Sequence, residues 1–235
     1  MCLIIASPIG VSPIPRREFV LANQDNPHGI GLACWHQGKA IIVKTFSVGK
    51  ALATYSRWRK LKRDVIVHFR WATHGKVCKE LCHPFLTKSG IPLMHNGMIA
   101  RLFPFTDKDN SDTKVLAGLM DEWGIDSFKT LDSLIEYAGS GNRFAAIGPF
   151  GISVAGGQWV ANRWYSTAPP TRQRYTVIRS KGAQLHEPSI NERWEKLSKE
   201  WDRWDKRESN SLDWKEWDKG VRMVDKTASA SVQLA

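Results

Sequence analysis

Four short pieces of the sequence carry side chains that could together perform nucleophilic chemistry. Cys2 stands directly behind Met1, and the other pieces are HFRWATHG at 68–75, HNG at 95–97 and SD at 111–112. Removal of Met1 would give Cys2 both a thiol and a free α-amino group, which is a nucleophile with its own base. Each piece alone has an ordinary explanation, since an early cysteine is commonly a core residue and Asn-Gly is commonly a turn.

The four pieces complement one another around an amide substrate that also carries charged groups. When a thiolate attacks an amide carbonyl, the developing oxyanion needs hydrogen-bond donors, which the Asn96 side chain and the Gly97 backbone N–H could supply. The guanidinium fork of Arg70 suits a carboxylate, and Asp112 could neutralise an ammonium group. A ligand with a carboxylate, an ammonium group and a hydrolysable amide is an amino acid such as glutamine.

The elements that would position these residues can be predicted from the hydrophobic pattern. Residues 111–124 form the clearest helix, because Ser111 can cap it and Gly124 can close it. Many antiparallel strands with a few helices predict an α+β sandwich. The predicted strands are 2–7, 29–35, 39–46, 65–73, 91–99, 144–148 and 151–157, and the other predicted helices are 48–63 and 127–138.

The motifs are similar to those of a known family. In chain order they are Cys2, NPHGIGLA at 26–33, HFRWATHG at 68–75, CHPF at 82–85, HNGMI at 95–99 and SDTKVL at 111–116. With them the chain resembles the class II glutamine amidotransferase domains, which are N-terminal nucleophile hydrolases, and in particular the glutaminase domain of glucosamine-6-phosphate synthase. NPHGIGLACW is more similar to the stand-alone members. The resemblance covers roughly residues 2–160.

This resemblance implies a fold, a reaction and a set of site residues. The fold would be the four-layer αββα sandwich, here followed by a C-terminal helical tail. Cys2 would attack the side-chain amide of glutamine, form a γ-glutamyl thioester and release ammonia, with no cofactor and no metal. Relatives often have an acidic residue in place of His28, which we interpret as a loop residue. The catalytic residues would be Cys2 with Asn96 and Gly97 as the oxyanion hole, and the substrate-binding residues would be Arg70 for the α-carboxylate, Asp112 for the α-amino group, and Trp71, Thr73 and His74 as pocket lining.

Charge and composition divide the chain into a domain at 1–190 and a tail at 191–235. The tail holds ten basic and ten acidic residues, with tryptophans at helical spacing, so the net charge of +11 belongs to 1–190. We expect the tail to pack on the domain or on a second copy, or to bind a partner, and its end to be disordered. RWRKLKR at 57–63 is either a solvated helix face or a footprint for phosphate.

The sequence also bears on the compartment and on metal binding. We find no secretory signal and no segment as long as a membrane span, so we expect a cytoplasmic protein with reduced thiols. Cys78, Cys82 and His83, with His74 nearby, could suggest zinc, but CxxxC is not one of the strong zinc spacings. We favour a packed or loop cysteine pair.

The expected partners follow from the fate of the ammonia. We expect L-glutamine as substrate and, because little sequence follows residue 190, a separate ammonia-accepting synthase or acceptor enzyme. A narrower hypothesis is that the acceptor is bound to nucleic acid, for instance a nitrile on a deazaguanine base that is converted to an amidine. Two alternatives stay open, namely an amide hydrolase acting on another γ-glutamyl substrate and a catalytically silent binding module acting through its basic face and tail.

Overall fold

Helices and antiparallel strands alternate in the computed structural model, which describes residues 2–73, 75–122 and 131–170, without the side chains of 121 and 122. The predicted tail at 191–235, the boundary at 190 and His74 lie outside these residues. The strands are β1 (Leu3–Ser7), β2 (Ile30–His36), β3 (Lys39–Thr45), β4 (Val65–Phe69), β5 (Phe85–Leu86), β6 (Pro92–Asn96), β7 (Arg143–Gly148), β8 (Gly151–Ala155), β9 (Gln158–Val160) and β10 (Arg163–Tyr165). The helices are α1 (Arg16–Asp25), α2 (Val48–Lys60), a 3₁₀ helix (Ala100–Phe105), α3 (Asp112–Glu122) and α4 (Leu131–Ala138).

The first sheet places the start of the chain near its centre. Its strand order is β3-β2-β4-β1-β10-β9, and every pairing is antiparallel. Strand β1 is buried along its whole length because it is a continuous apolar run that pairs with β4 on one side and β10 on the other. Backbone hydrogen bonds on both sides therefore hold the strand that follows Cys2.

The second sheet is smaller and follows the order β5-β6-β7-β8, again antiparallel. The turns of both sheets are tight. The strands predicted at 29–35 and 39–46 form a hairpin, but its loop is one residue shorter than the predicted interval 36–38, because His36 pairs with Lys39. The loop consists of Gln37 and Gly38, both with positive φ (49° and 76°), the conformation of a type I′ turn.

Apolar side chains from both sheets form one shared cluster. Ile4, Ala33 and Ile66 of the first sheet contact Met94 and Ile147 of the second. A second cluster lies between the smaller sheet and helices α3 and α4, while α2 packs on the larger sheet and α1 packs on α2, with its Phe19 ring against Phe69 of β4. The predicted α+β class with antiparallel sheets is confirmed, and the four-layer order stays a prediction with which these contacts agree.

Several predicted elements end earlier than expected. The strand predicted at 65–73 ends at Phe69, because the N–H groups of Trp71 and Ala72 donate to side chains instead of to a neighbouring strand. The strand predicted at 91–99 begins at Pro92 and ends at Asn96. The helix predicted at 48–63 ends at Lys60.

The remaining helices agree with the pattern where they are described. Ser111 caps α3, since its Oγ accepts a hydrogen bond from the Lys114 N–H at 3.2 Å, while Gly124 lies outside the described residues. Helix α1 and the 3₁₀ helix were not predicted. None of the helices in the described ranges is both long and apolar enough to cross a membrane.

Candidate active site

One small cavity brings together residues from distant parts of the sequence. Cys2 precedes β1, Arg70 follows β4, Gly97 follows β6 and Asp112 begins α3, and all four line it. The enclosed volume is about 50 Å³, room for about four water molecules or for the amide end of a side chain. The other lining residues are His68, Trp71, Ala72, Thr73, Leu81, His83, His95, Phe103, Thr106, Ser111 and Thr113.

The sulfur of Cys2 lies against the backbone of Trp71. The Trp71 N–H donates to Sγ at 3.3 Å, and the thiol can donate to the Trp71 carbonyl at 3.4 Å. Burial raises the pKa of the Cys2 thiol, and the Trp71 hydrogen bond and the charge of Arg70 oppose this only in part. The resting side chain is therefore a thiol, and making it a nucleophile requires a base close to it.

Arg70 is buried in a segment that several hydrogen bonds hold. Its backbone N–H donates to the Gly29 carbonyl at 2.8 Å, and its guanidinium Nη1 donates to the Lys76 carbonyl at 2.8 Å. His28 supports the same segment, because its Nδ1 accepts a hydrogen bond from the Ala72 N–H at 2.9 Å. His28, which the sequence analysis interpreted as a loop residue, therefore helps to position the strand end that carries Arg70.

Asp112 is the first residue of α3, and two backbone N–H groups orient its carboxylate. Oδ2 accepts from the Ile99 N–H at 3.0 Å, and Oδ1 accepts from the Thr113 N–H at 2.7 Å. The side chain is 17% exposed, so it keeps a face towards the cavity. A fixed carboxylate in a mostly buried position is suited to bind a cation.

Gly97 occupies a position that a larger residue could not fill. Its φ is +146°, and a Cβ atom there would lie 2.3 Å from Oδ1 of Asn142 and 3.0 Å from the Asn142 Cα. Glycine lets the backbone N–H approach the cavity closely. Asn142 was not singled out from the sequence, where it follows an ordinary Gly-Ser-Gly turn.

Asn96 is buried beside the cavity, but among the described residues it does not line it. Its Nδ2 donates to the Ser166 Oγ at 3.0 Å, and the same Oγ accepts from the Ile4 N–H at 2.8 Å. The amide carries a second N–H that a ligand could use. The oxyanion role of Asn96 stays a prediction.

Three of the residues that line the cavity are buried histidines, which the sequence interpretation did not group. The rings of His68 and His83 are 4.1 Å apart between centroids, and the His95 N–H donates to His83 Nδ1 at 3.4 Å. Burial lowers the pKa of all three, that of His68 to about 3. Neutral imidazoles do not repel an ammonium group, so a positively charged ligand can bind above them.

The cysteines near the cavity carry free thiols. The Cys82 thiol donates to the Cys78 carbonyl at 3.4 Å, and the His83 ring packs on His68. Within the described ranges, no three His, Cys, Asp or Glu side chains are grouped to hold a metal ion. This geometry agrees with a loop cysteine pair.

Comparisons with known proteins agree with the motifs. No family model matches the chain. It is 37% identical to the glutamine–fructose-6-phosphate aminotransferase (isomerizing) of Buchnera aphidicola over 40% of this chain and 17% of that enzyme. It is 34% identical to the enzyme of the same name from Francisella tularensis over 31% of this chain and 13% of that enzyme.

The matched stretch thus spans less than a fifth of the length of these relatives. A solved structure of a glutamine aminotransferase class-II domain protein from Silicibacter pomeroyi is 12% identical, with a TM-score of 0.31, over 66% of this chain and 99% of that one. The curated relatives are glutamine-dependent aminotransferases by name, and the resemblance of this chain to the class II glutamine amidotransferases is confirmed.

Proposed function

We propose that the protein hydrolyses the side-chain amide of glutamine and releases ammonia for a separate acceptor. The observation that carries this proposal is that Cys2, Arg70, Gly97 and Asp112 line one cavity. A nucleophile, a cation, a backbone N–H and an anion are the four groups that amide hydrolysis of an amino acid requires. The partial identity to glutamine–fructose-6-phosphate aminotransferases supports the same substrate.

The reaction requires that Met1 be removed, which exposes the α-amino group of Cys2. It then begins with the Cys2 thiol. Because burial raises the pKa of the Cys2 thiol, the sulfur does not ionise spontaneously at neutral pH. The α-amino group, with an ordinary pKa of about 8, accepts the thiol proton as sulfur attacks the δ-carbon of glutamine. The product of this step is a tetrahedral adduct with a negatively charged oxygen.

The oxyanion is stabilised by donors from the turn after β6. The Gly97 N–H and the Asn96 amide donate to it, and the proton on the α-ammonium group passes to the leaving nitrogen. The C–N bond breaks, ammonia departs and a γ-glutamyl thioester remains on Cys2. A water molecule then attacks the thioester, the α-amino group takes its proton, and glutamate leaves as the thiol is restored.

The charged ends of glutamine bind on either side of the nucleophile. The guanidinium of Arg70 binds the α-carboxylate and Asp112 binds the α-ammonium group. Trp71 and Thr73 line the cavity mouth, where both are exposed. His74 keeps its predicted role as pocket lining.

The net charge of the protein supports a narrower proposal for the acceptor of the ammonia. The whole excess of +11 falls on residues 1–190, which favours an acceptor bound to nucleic acid, such as a deazaguanine nitrile that becomes an amidine. Affinity for DNA or RNA that falls steeply with salt would support this part of the proposal. Binding that does not depend on salt would contradict it.

The central experiment measures ammonia and glutamate released from glutamine by the purified protein. Cys2→Ala should abolish both products, while Cys78→Ala, which removes another partly buried thiol, should leave them unchanged. Intact-mass measurement should show that active molecules lack Met1. Full activity in Cys2→Ala would overturn the proposal. Faster hydrolysis of another γ-glutamyl amide than of glutamine would identify that amide, and not glutamine, as the substrate.

A further inference from the structure

A second cavity lies at the opposite end of the two sheets from Cys2. In the β1–β4 pairing, Leu3 is opposite Phe69 and Ser7 is opposite Val65, so Cys2 and Asp64 mark opposite ends. Asp64 lines the second cavity, which has a volume of about 440 Å³. A five-residue strand is roughly 15 Å long, so the two cavities are separate sites.

Part of the lining of the second cavity is apolar. It is formed by Trp35, Leu61, Ile147 and Pro149. Trp35 is partly buried and packs against both apolar clusters of the domain, so its ring is a fixed surface. Such a wall can contact the apolar or aromatic body of a small molecule.

The other wall carries cationic side chains. In the described part of the chain, neither Lys62 nor Arg63 lies within ion-pair distance of a carboxylate, and the hydrogen-bond partner of the Arg63 guanidinium is the Cys34 sulfur at 3.9 Å. Asp64 also lines the cavity, and its Oδ1 accepts a hydrogen bond from the Ile9 N–H at 2.6 Å, so the backbone, and neither of the two cations, holds this carboxylate oxygen. His36 adds one N–H donor to the same wall.

The basic run at 57–63 divides into two groups with different surroundings. The Arg59 guanidinium donates to the carbonyls of Ser7, Val11 and Arg63, so it is a structural residue rather than a cation of the exposed face. Lys62 and Arg63 follow the end of α2 and line the cavity. Lys60 is exposed on α2 and does not line it.

Lys62 occupies a backbone position that normally favours glycine. Its φ is +52°, its N–H donates to the Arg59 carbonyl, and the next N–H, of Arg63, donates to the Trp58 carbonyl. These two bonds define the Schellman ending of a helix, in which the residue at the position of Lys62 is usually glycine. The backbone therefore gives no reason for a lysine here, whereas a ligand in the cavity would.

We propose that this second cavity binds a small phosphomonoester that has an apolar or aromatic body. Two cations match the two charges of a phosphate, and the guanidinium of Arg63 can bind two of its oxygens at once. The apolar wall with Trp35 accommodates the body of the ligand. The proposal does not depend on glutamine hydrolysis, since the cavity lies away from Cys2.

Isothermal titration calorimetry of the full chain with phenyl phosphate tests the proposal, with inorganic phosphate and phenol as partial ligands. Phenyl phosphate should bind more tightly than either. Lys62→Gly should weaken the binding of phenyl phosphate about tenfold or more, which is the loss expected for one charge-assisted hydrogen bond. The same substitution should not lower Tm, because glycine suits the backbone conformation of residue 62. Arg63→Gln should weaken the binding as much, and Lys60→Ala, which removes an equal charge from the same run, should not.

Three results would overturn the proposal. They are equal losses in Lys60→Ala and Lys62→Gly, unchanged affinity in Lys62→Gly and Arg63→Gln, and equal affinities for phenyl phosphate and inorganic phosphate. A single-stranded oligonucleotide that binds more tightly than phenyl phosphate and loses affinity in Lys62→Gly would assign the cavity to nucleic acid instead. Glutaminase activity measured on the same variants should equal that of the parent, which separates this test from that of the active site.

Discussion

The Nε2 of His95 donates a hydrogen bond to Oδ1 of Asn142 at 2.7 Å, inside the domain and beside Gly97. The direction of this bond is determined by the other end of the Asn142 amide, whose Nδ2 donates to the carbonyls of Ala138 and Gly139. The Asn142 oxygen therefore faces the imidazole, and Nε2 carries the proton. Because burial lowers the pKa of His95, the ring is neutral and its Nδ1 is an acceptor.

The other side of the same ring reaches the Asp112 region. Nδ1 of His95 lies 2.9 Å from the Thr113 Oγ1, and Oγ1 lies 3.2 Å from the Asp112 Oδ1. The Thr113 hydroxyl has one proton to donate, and two acceptors, the His95 Nδ1 and the Asp112 Oδ1, lie within hydrogen-bond distance of it. One buried imidazole thus connects the residue that packs on Gly97 with the helix start that presents Asp112.

Asn142→Ala should lower the kcat of glutamine hydrolysis about tenfold or more and leave KM nearly unchanged. The substitution removes the amide that lies next to Gly97, so we expect the Gly97 N–H to be less well positioned, and donors to the oxyanion act mainly in the transition state. Steady-state kinetics measures kcat and KM separately and so checks this expectation. Asn26→Ala is the matched control, because Asn26 is also buried and donates to a helix carbonyl, that of Ala22. Equal kcat values in the two variants would contradict the positioning role.

Gly97→Ala should destabilise the fold by more than 2 kcal/mol, as roughly expected when strain and a steric clash add. Gly90→Ala is the control, because Gly90 also has a positive φ, +79°, but no atom lies within 4 Å of its added Cβ. That control should cost only about 1 kcal/mol. Urea unfolding measures both, and similar losses in the two variants would show that the Asn142 contact is unimportant.

Asp112→Asn should raise the KM for glutamine by about tenfold to a hundredfold, with a smaller change in kcat. The reason is that a charge-assisted hydrogen bond to the α-ammonium group contributes about 1.5–3 kcal/mol. Asp109→Asn removes a neighbouring carboxylate that pairs with Lys76 at the surface, and should leave KM unchanged. If both variants raise KM equally, a general electrostatic effect would explain the result.

The protein should lose stability when the pH falls below about 6.5, the ordinary pKa of histidine. His68 has its pKa lowered to about 3, so between these values the unfolded chain binds a proton that the native chain does not. The free energy of unfolding then falls with falling pH, by about 1.4 kcal/mol per such histidine between about pH 7.5 and 5.5. Urea unfolding of His68→Gln should show this loss reduced by about that amount. An unchanged loss would mean that His68 is protonated in the native state.

The motifs in the sequence predicted several of the residues that line the cavity, although Asn96, which was predicted with them, lies beside it. Cys2, Arg70, Gly97 and Asp112 could be predicted because each carries a distinct chemical function beside a recognisable strand or helix. The hairpin at 29–46 could be predicted from the short glycine-containing interval between its two strands, although the loop proved to be two residues and not three.

The supporting residues could not be predicted in the same way. Asn142 and Thr113 act through contacts with residues 47 and 18 positions away from them, and no local pattern reports a tertiary contact. His28 resembled a loop residue because its partner, the Ala72 N–H, lies 44 positions further along the chain. The end of β4 at Phe69 was missed for the same reason, since distant side chains accept the N–H groups of Trp71 and Ala72.

The pairing of β1 on both sides has a practical consequence for handling the protein. Leu3–Ser7 make all the strand contacts, so residues added ahead of Met1 need not disturb them. Under the proposed mechanism they would, however, convert the α-amine into an amide and leave a folded molecule without its base. By the same mechanism, a protein with an affinity tag there should be inactive, and a protease that cuts just before Cys2 should start glutamine hydrolysis.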